Sequence, residues 1–246
     1  MSTLVIEHGC NCGPGRLGDV LREHGHRLRT IRIHEGKLLP GDLENVDAIV
    51  ATGGVQNVHE ALPWMEQEME LLRQAHALAL PIVGMCLGNQ LLAAALGGEV
   101  GPVRGGIQLG WIEVELNHIG REDPLFAGIA WKSMQPHWNR YGVTKLPPGA
   151  RTLAMSAGHP IEAWAAGLRT YGFGFHPEIE PGAFAAWAGE DPEGLVEVGI
   201  SLEDLQRQTE MMYPTYERLT RRLFENIALL LMPVDRRYGV AKEIHH

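Results

Sequence analysis

Cysteine is scarce in this chain and positive charge is in the minority. Only Cys10, Cys12 and Cys86 occur among 246 residues. An odd count with no repeated spacing excludes a disulfide framework and leads us to expect a reducing, cytoplasmic setting. Basic residues number 21 against 30 acidic ones, for a net charge of -9. Basic runs are short, as in "RLTRR" (218–222). Nucleic acid is therefore not expected as a partner, because phosphate binding needs a positive patch. Apolar runs are short too. The one ahead of Cys86 is interrupted by Pro81 and Gly84, well below the roughly 20 residues of a membrane span, so no membrane partner is expected. The start, "MSTLVIEHG", has no basic region of the kind that opens a secretory signal. Internal repeats and Pro/Gly/Ser-rich linkers are absent as well.

What remains is an ordinary globular balance, 45% hydrophobic and 21% charged, with enough chain for a sizeable core. "TLVIEH", "RLRTIRIH", "VDAIVATGG" and "PIVGM" read as strands. "LGDVLREHG" and "PWMEQEMELLRQAHALAL" read as helices, the second with Pro63 in its first turn and an apolar stripe of Trp64, Met65, Met69 and Leu72. Strands alternating with helices predict an α/β fold: a mostly parallel central sheet with helices on both faces. After Gly98 the pattern turns to strands and hairpins, "GIQLGWIEVEL", "RTLAMSA" and "IEAWAAGLRTYGFGF". A long helical stretch over 202–231 follows. It is expected to be divided at Pro214, with Met211 and Met212 in the core. One domain over 1–246 is expected, with a motif-bearing region at about 4–180 and a helical extension over 181–246.

The junction "PIVGMCLGNQLLAAALGG" (81–98) carries the chemistry. Cys86 stands where a strand passes into a helix, with Gly84 two before it and Gly88 two after. A residue on such a turn projects above the carboxyl end of a parallel sheet, where ligands bind. The helix N-terminus beside it favours a thiolate and offers N–H groups to an oxyanion. The alternative is a small buried thiol, the commoner fate of cysteine.

A base for that thiol is sought among twelve histidines. His176, in "YGFGFHPEIE", precedes a proline that holds it extended, so His176 and Glu178 share a face. A carboxylate beside the imidazole fixes its tautomer and supports it as a base. Gly172 and Gly174 suggest a strand with one side left open. The alternative is a solvated strand end.

Together these segments resemble the class-I glutamine amidotransferases of the triad type. "GMCLGNQLLAAALGG" is similar to that family's Gly-x-Cys-x-Gly-x-Gln-x-Leu elbow, "GFHPE" to its Phe-His-Pro-Glu, and "ATGGVQNV" to its Gly-Gly oxyanion strand end. "LGWIEVEL", "DPLFAGI" and "LPPGARTLAMSA" resemble the GMP-synthase-like stand-alone branch. The resemblance covers roughly residues 4–180.

The resemblance implies a flavodoxin-like α/β fold and hydrolysis of the glutamine side-chain amide through a γ-glutamyl thioester. Cys86 would be the nucleophile, His176 the base and Glu178 its orienter. Backbone N–H groups of Gly54 and Leu87 would form the oxyanion hole, and Gln90 and Gly53 would contact the substrate. His137, with Tyr141 in the aromatic place of a His-x-x-x-Phe segment, would contact the substrate or act structurally. No cofactor is implied, and ammonia would pass to a synthetase on a separate chain. Three positions depart from the family pattern: Asn89, Val55 and Gly174, the last expected to leave room beside His176. The same triad would serve a γ-glutamyl hydrolase acting on other small γ-glutamyl compounds, and the fold alone would serve a non-catalytic binding module. His8, Cys10 and Cys12 cluster after the first strand, but Cys-x-Cys is tight and no fourth ligand is evident, so no metal site is expected.

Overall fold

The computed structural model describes residues 1–234; residues 235–246, the end of the extension expected over 181–246, lie outside the described residues. The chain runs β1 (Ser2–Glu7), α1 (Gly15–Glu23), β2 (Arg27–Arg32), β3 (Ala48–Ala51), α2 (Pro63–Ala77), β4 (Ile82–Met85) and α3 (Leu87–Ala95). It continues through β5 (Glu99–Pro102), β6 (Gln108–Leu116), α4 (His118–Glu122), β7 (Lys132–Asn139), β8 (Tyr141–Lys145), β9 (Arg151–Ser156), β10 (Ala163–Ala166) and β11 (Thr170–Phe173). It closes with α5 (Ala183–Glu190), α6 (Pro192–Val198) and α7 (Leu202–Asn226), which ends in a π turn, Ile227–Leu231.

The fold is α/β. Among the described residues a nine-stranded sheet has the order β2-β1-β3-β4-β11-β10-β9-β6-β7, and β5 pairs with β8 in a separate ribbon. The first five strands in that order are parallel neighbours; the remaining pairings are antiparallel. The hairpin-like segments after Gly98 supply the antiparallel half, and the β/α alternation before it supplies most of the parallel half.

Strand periodicity explains why helices cover both faces. Leu4, Ile6, Ile49 and Ile82 point to one side, where Met65, Leu71 and Leu72 of α2 and Leu91 of α3 pack on them. Val5, Val50, Val83 and Met85 point to the other, against Leu17 and Leu21 of α1 and Leu223 and Phe224 of α7. Strands covered on both faces read as continuous apolar runs, which is how β1, β3 and β4 look in the sequence. A third cluster, with Trp111, Phe184, Trp187 and Tyr216, joins α5 and α7 to the antiparallel half.

Two expectations fail in the last helix. It is not divided at Pro214 but runs unbroken through it. Pro214 and Glu210, whose carbonyl loses its helical partner, are both exposed, so water can take the freed group. Tyr216, Leu219, Leu223 and Phe224 bury the inner face beyond the proline. Met211 is 68% exposed rather than core; Met212 is half-buried against the third cluster. No helix among the described residues is long and apolar enough to cross a membrane.

Candidate active site

Cys86 sits between β4 and α3 with φ 49° and ψ -108°, a conformation that costs a non-glycine residue of order 1–3 kcal/mol. The turn is held by close backbone packing. A Cβ at Gly88 would lie 2.2 Å from Ala51 O, and one at Gly84 would lie 2.8 Å from Gly88 O. Cys86 N–H donates to Phe173 O at 2.9 Å, and Gly88 N–H to Thr52 O at 2.9 Å. The flanking glycines therefore let the start of α3 press onto β3, and the sulfur is left facing a cleft of about 340 Å³.

His176 follows β11, the neighbour of β4, so it arrives at the same sheet end as Cys86. Its N–H donates to Pro136 O at 2.9 Å, and its Nδ1 donates to Glu178 Oε1 at 2.8 Å. Both side chains are nearly sealed from solvent and the imidazole lines the cleft. Burial works most strongly against the charged ring. The charges and hydrogen bonds of Glu178 and Cys86 together outweigh it, and the His176 pKa is pushed up to about 10. The ring is an imidazolium at neutral pH, in contact with the thiol on one side and the carboxylate on the other.

The Gly-Gly segment closes the site from a third side. A Cβ at Gly53 would sit 2.8 Å from His176 Cε1 and 3.6 Å from Cys86 Cβ; one at Gly54 would sit 2.8 Å from Leu87 Cδ2. Gly54 lines the cleft and Gly53 lies against the imidazole. Leu87 buries its side chain in the core, while its amide is the first of α3, a position with no intrahelical partner. Gln90 lines the cleft, donates to Tyr141 O at 3.2 Å and keeps a buried, unpartnered Oε1.

The expectation that His137 contacts the substrate is corrected. It is fully buried and does not line the cleft. It lies between Gln135 O at 3.0 Å and Glu162 Oε2 at 3.1 Å. Glu162 also accepts from Gln108 and Ser156, at 2.8 and 2.6 Å. Burial opposes its charge most, yet His137 and these donors hold its pKa down at about 2. The same carboxylate explains Gly174. A Cβ there would meet Glu162 Oε2 at 2.9 Å, so this glycine leaves no extra room beside His176. The bare face of Gly172 is filled as well, by Trp164 and by Asn89, whose Oδ1 accepts from Trp164 Nε1 at 2.6 Å. Asn89 is thus a core partner, whereas Val55 is exposed on the cleft wall.

Several cleft residues carry no mark in the sequence. Trp187 of α5 tilts over the His176 ring with centroids 4.5 Å apart. Trp138, Arg140, Glu190 and Asp191 complete that wall. Cys12 also lines the cleft; burial first, then the charges of Cys86, Glu178 and Glu190, push its thiol well up, so it stays protonated. His8, Cys10 and Cys12 do not form a ligand set, and no such group occurs among the described residues. His8 instead turns inward, with Nε2 to Glu68 Oε2 at 2.8 Å and Nδ1 to Thr52 O at 3.0 Å. Burial disfavours its charge, but Glu68 prevails and raises its pKa. Glu68 leaves one trace in the sequence: it occupies a stripe position of α2, between Met65 and Leu72, where an apolar residue is the rule.

The family model for glutamine amidotransferase class-I matches residues 16–187. GMP synthase (glutamine-hydrolyzing) of Phenylobacterium zucineum is 36% identical over 136 residues, 54% of this chain and 24% of that protein. One of the separate chains of the glutamine-hydrolyzing GMP synthase of Pyrococcus abyssi is 34% identical over 164 residues, 64% of this chain and 85% of that one. The chain spans about a quarter of the length of the full GMP synthases it matches. In fold it is similar to a glutamine amidotransferase from Methylobacillus flagellatus, with TM-score 0.83, 24% identity and coverage of 92% of this chain and 93% of that one. A Thermotoga maritima glutamine amidotransferase gives TM-score 0.81 at 24% identity, covering 92% and 97%.

Proposed function

The chain belongs to the class-I glutamine amidotransferases, in their GMP-synthase-like branch, and from that premise we propose that it hydrolyses the side-chain amide of glutamine with Cys86, His176 and Glu178 as its catalytic triad. The observation that carries the reading is the contact of Cys86, His176 and Glu178 in one cleft, with the imidazole hydrogen-bonded to both neighbours. Cys86 Sγ, its proton on His176, attacks the amide carbon. The oxyanion forms against the N–H groups of Gly54 and Leu87. The C–N bond breaks as His176 returns the proton to the leaving nitrogen, which departs as ammonia. Water then attacks the γ-glutamyl thioester, His176 takes its proton, and glutamate and the thiol are released. Glu178 holds the imidazole in orientation throughout. Gln90 Oε1 is free to accept a hydrogen bond from the bound substrate. Ammonia passes to a synthetase on another chain, an arrangement supported by the Pyrococcus abyssi relative, which is itself one part of a GMP synthase.

A second reading, hydrolysis of other γ-glutamyl amides, is favoured by the wall of Trp138, Trp187 and Glu190, which could hold a larger leaving group. One experiment tests both. Wild-type and Cys86→Ala proteins are incubated with 6-diazo-5-oxo-norleucine, a glutamine mimic, and mapped by peptide mass spectrometry. The expected result is one adduct, on Cys86, absent from the variant. Labelling of Cys86 by iodoacetamide but not by the mimic would transfer the assignment to another γ-glutamyl substrate. Labelling by neither would overturn the catalytic reading.

A further inference from the structure

The structure assigns Tyr216 of α7 as a positioning residue: its hydroxyl bridges the two ends of the 176–179 turn and holds His176 in register with Cys86. This inference rests on the triad reading above and extends it to a helix outside the family-matched residues 16–187.

Tyr216 is fully buried, 1% exposed. Its hydroxyl donates to His176 O at 3.0 Å and accepts from Ile179 N–H at 3.0 Å. One group thus satisfies the carbonyl at the start of the turn and the amide at its end. The turn lies beyond β11, so no sheet ladder holds it, and Pro136 O is the strand partner of His176 N–H. Burial, then the charge of Glu178, push the phenol well above its ordinary pKa, so it remains a donor.

The other side of the turn is gripped by the start of α1. Arg16 N–H donates to Glu178 O at 3.1 Å. Gly15, with φ +43°, allows that approach, since a Cβ there would lie 2.2 Å from Glu178 O. The Arg16 guanidinium ties α1 to α7: it lies 5.7 Å from the Tyr216 ring centre and donates to Thr220 Oγ1 at 2.8 Å and Glu217 O at 2.7 Å. The turn bearing both His176 and Glu178 is therefore clamped between two helices, and the Tyr216 hydroxyl is the contact from α7.

Tyr216→Phe keeps the ring, which packs edge-on against Trp111 at 5.2 Å, and leaves two buried backbone groups unpaired. Tyr171→Phe is the control. It removes another buried tyrosine hydroxyl, one bound to Asp123 at 3.2 Å, a residue that does not line the cleft. Iodoacetamide labelling of Cys86 is followed from pH 5 to 9 in wild type and both variants, beside the thermal midpoint of each. The other ionisable groups facing the cleft, Glu178, Cys12, Arg140, Glu190 and Asp191, are the same in all three proteins. The expected result is that Tyr216→Phe moves the labelling profile toward that of an ordinary thiol and slows adduct formation with the glutamine mimic about ten-fold or more. Tyr171→Phe should follow wild type whatever stability it loses. A Tyr216→Phe profile that coincides with wild type would overturn the inference and leave the triad reading intact. A wild-type Cys86 that labels no faster than an ordinary thiol at neutral pH would overturn both.

Discussion

A methyl group added at Gly53 would sit 2.8 Å from Cε1 of His176, a separation that carbon atoms do not hold without displacement. The backbone of Gly53 is not in the left-handed region, so alanine is conformationally acceptable there and the substitution isolates the close approach. Gly53→Ala should leave the thermal midpoint within a few degrees of wild type. It should lower glutaminase turnover, or the rate of labelling by the glutamine mimic, by about a hundred-fold, the scale of loss from an ångström of misplacement. At this scale legibility follows locality. Cys86, with its flanking glycines, and His176 with Glu178 stand within a few residues of what makes them recognisable. Glu68 and His8 are a partnership across 60 residues of chain, and nothing in either neighbourhood announces the other. Gly174 is legible as unusual but not in its cause, because the carboxylate that fills its space comes from Glu162 on another segment.

Elements are readable where both faces or one stripe are apolar, as in β1, β3, β4, α1 and α2. They are misread where packing overrides propensity. Proline inside a helix costs about 3 kcal/mol relative to alanine, and on that ground a division at Pro214 is the natural expectation. The helix persists because its inner face beyond the proline is buried against the sheet and α1. If that cost is present in the folded protein, relieving it must show. Pro214→Ala restores the N–H that Glu210 O lacks, at an exposed position where nothing else changes. It also loosens the unfolded chain, which opposes the gain by about 0.4–1 kcal/mol. The expected net result is stabilisation by roughly 1–2 kcal/mol in urea unfolding, with catalytic parameters unchanged. Unchanged or lowered stability would mean that α7 accommodates the ring without strain.

At the scale of the whole molecule the two halves of the sheet contribute buried charges of opposite tendency. Their pKa shifts set opposite edges of a stability profile. Glu162, in the antiparallel half, is held at about 2 from an ordinary 4.5. A depressed carboxyl stabilises the fold above its unfolded pKa, and that contribution is lost as pH falls from about 4.5 toward 2. His176, at the end of the parallel half, is raised from 6.5 to about 10. A raised imidazole stabilises the fold fully below about 6.5, and the contribution is lost as pH rises toward 10. Folding stability should therefore be greatest between about pH 4.5 and 6.5 and decline on both sides. Neither edge could be read from the sequence, since net charge and composition say nothing about which carboxylate is buried beside which histidine. Urea unfolding from pH 3 to 10 checks the shape, and two substitutions assign it. Glu162→Gln keeps an acceptor for Ser156 and Gln108 but no longer titrates, so the acid side should flatten while the alkaline side keeps its slope. His176→Gln should do the reverse. If either variant shifted the whole curve downward without changing its slope on the named side, the corresponding shift would not be coupled to folding, and the edge would belong to another group.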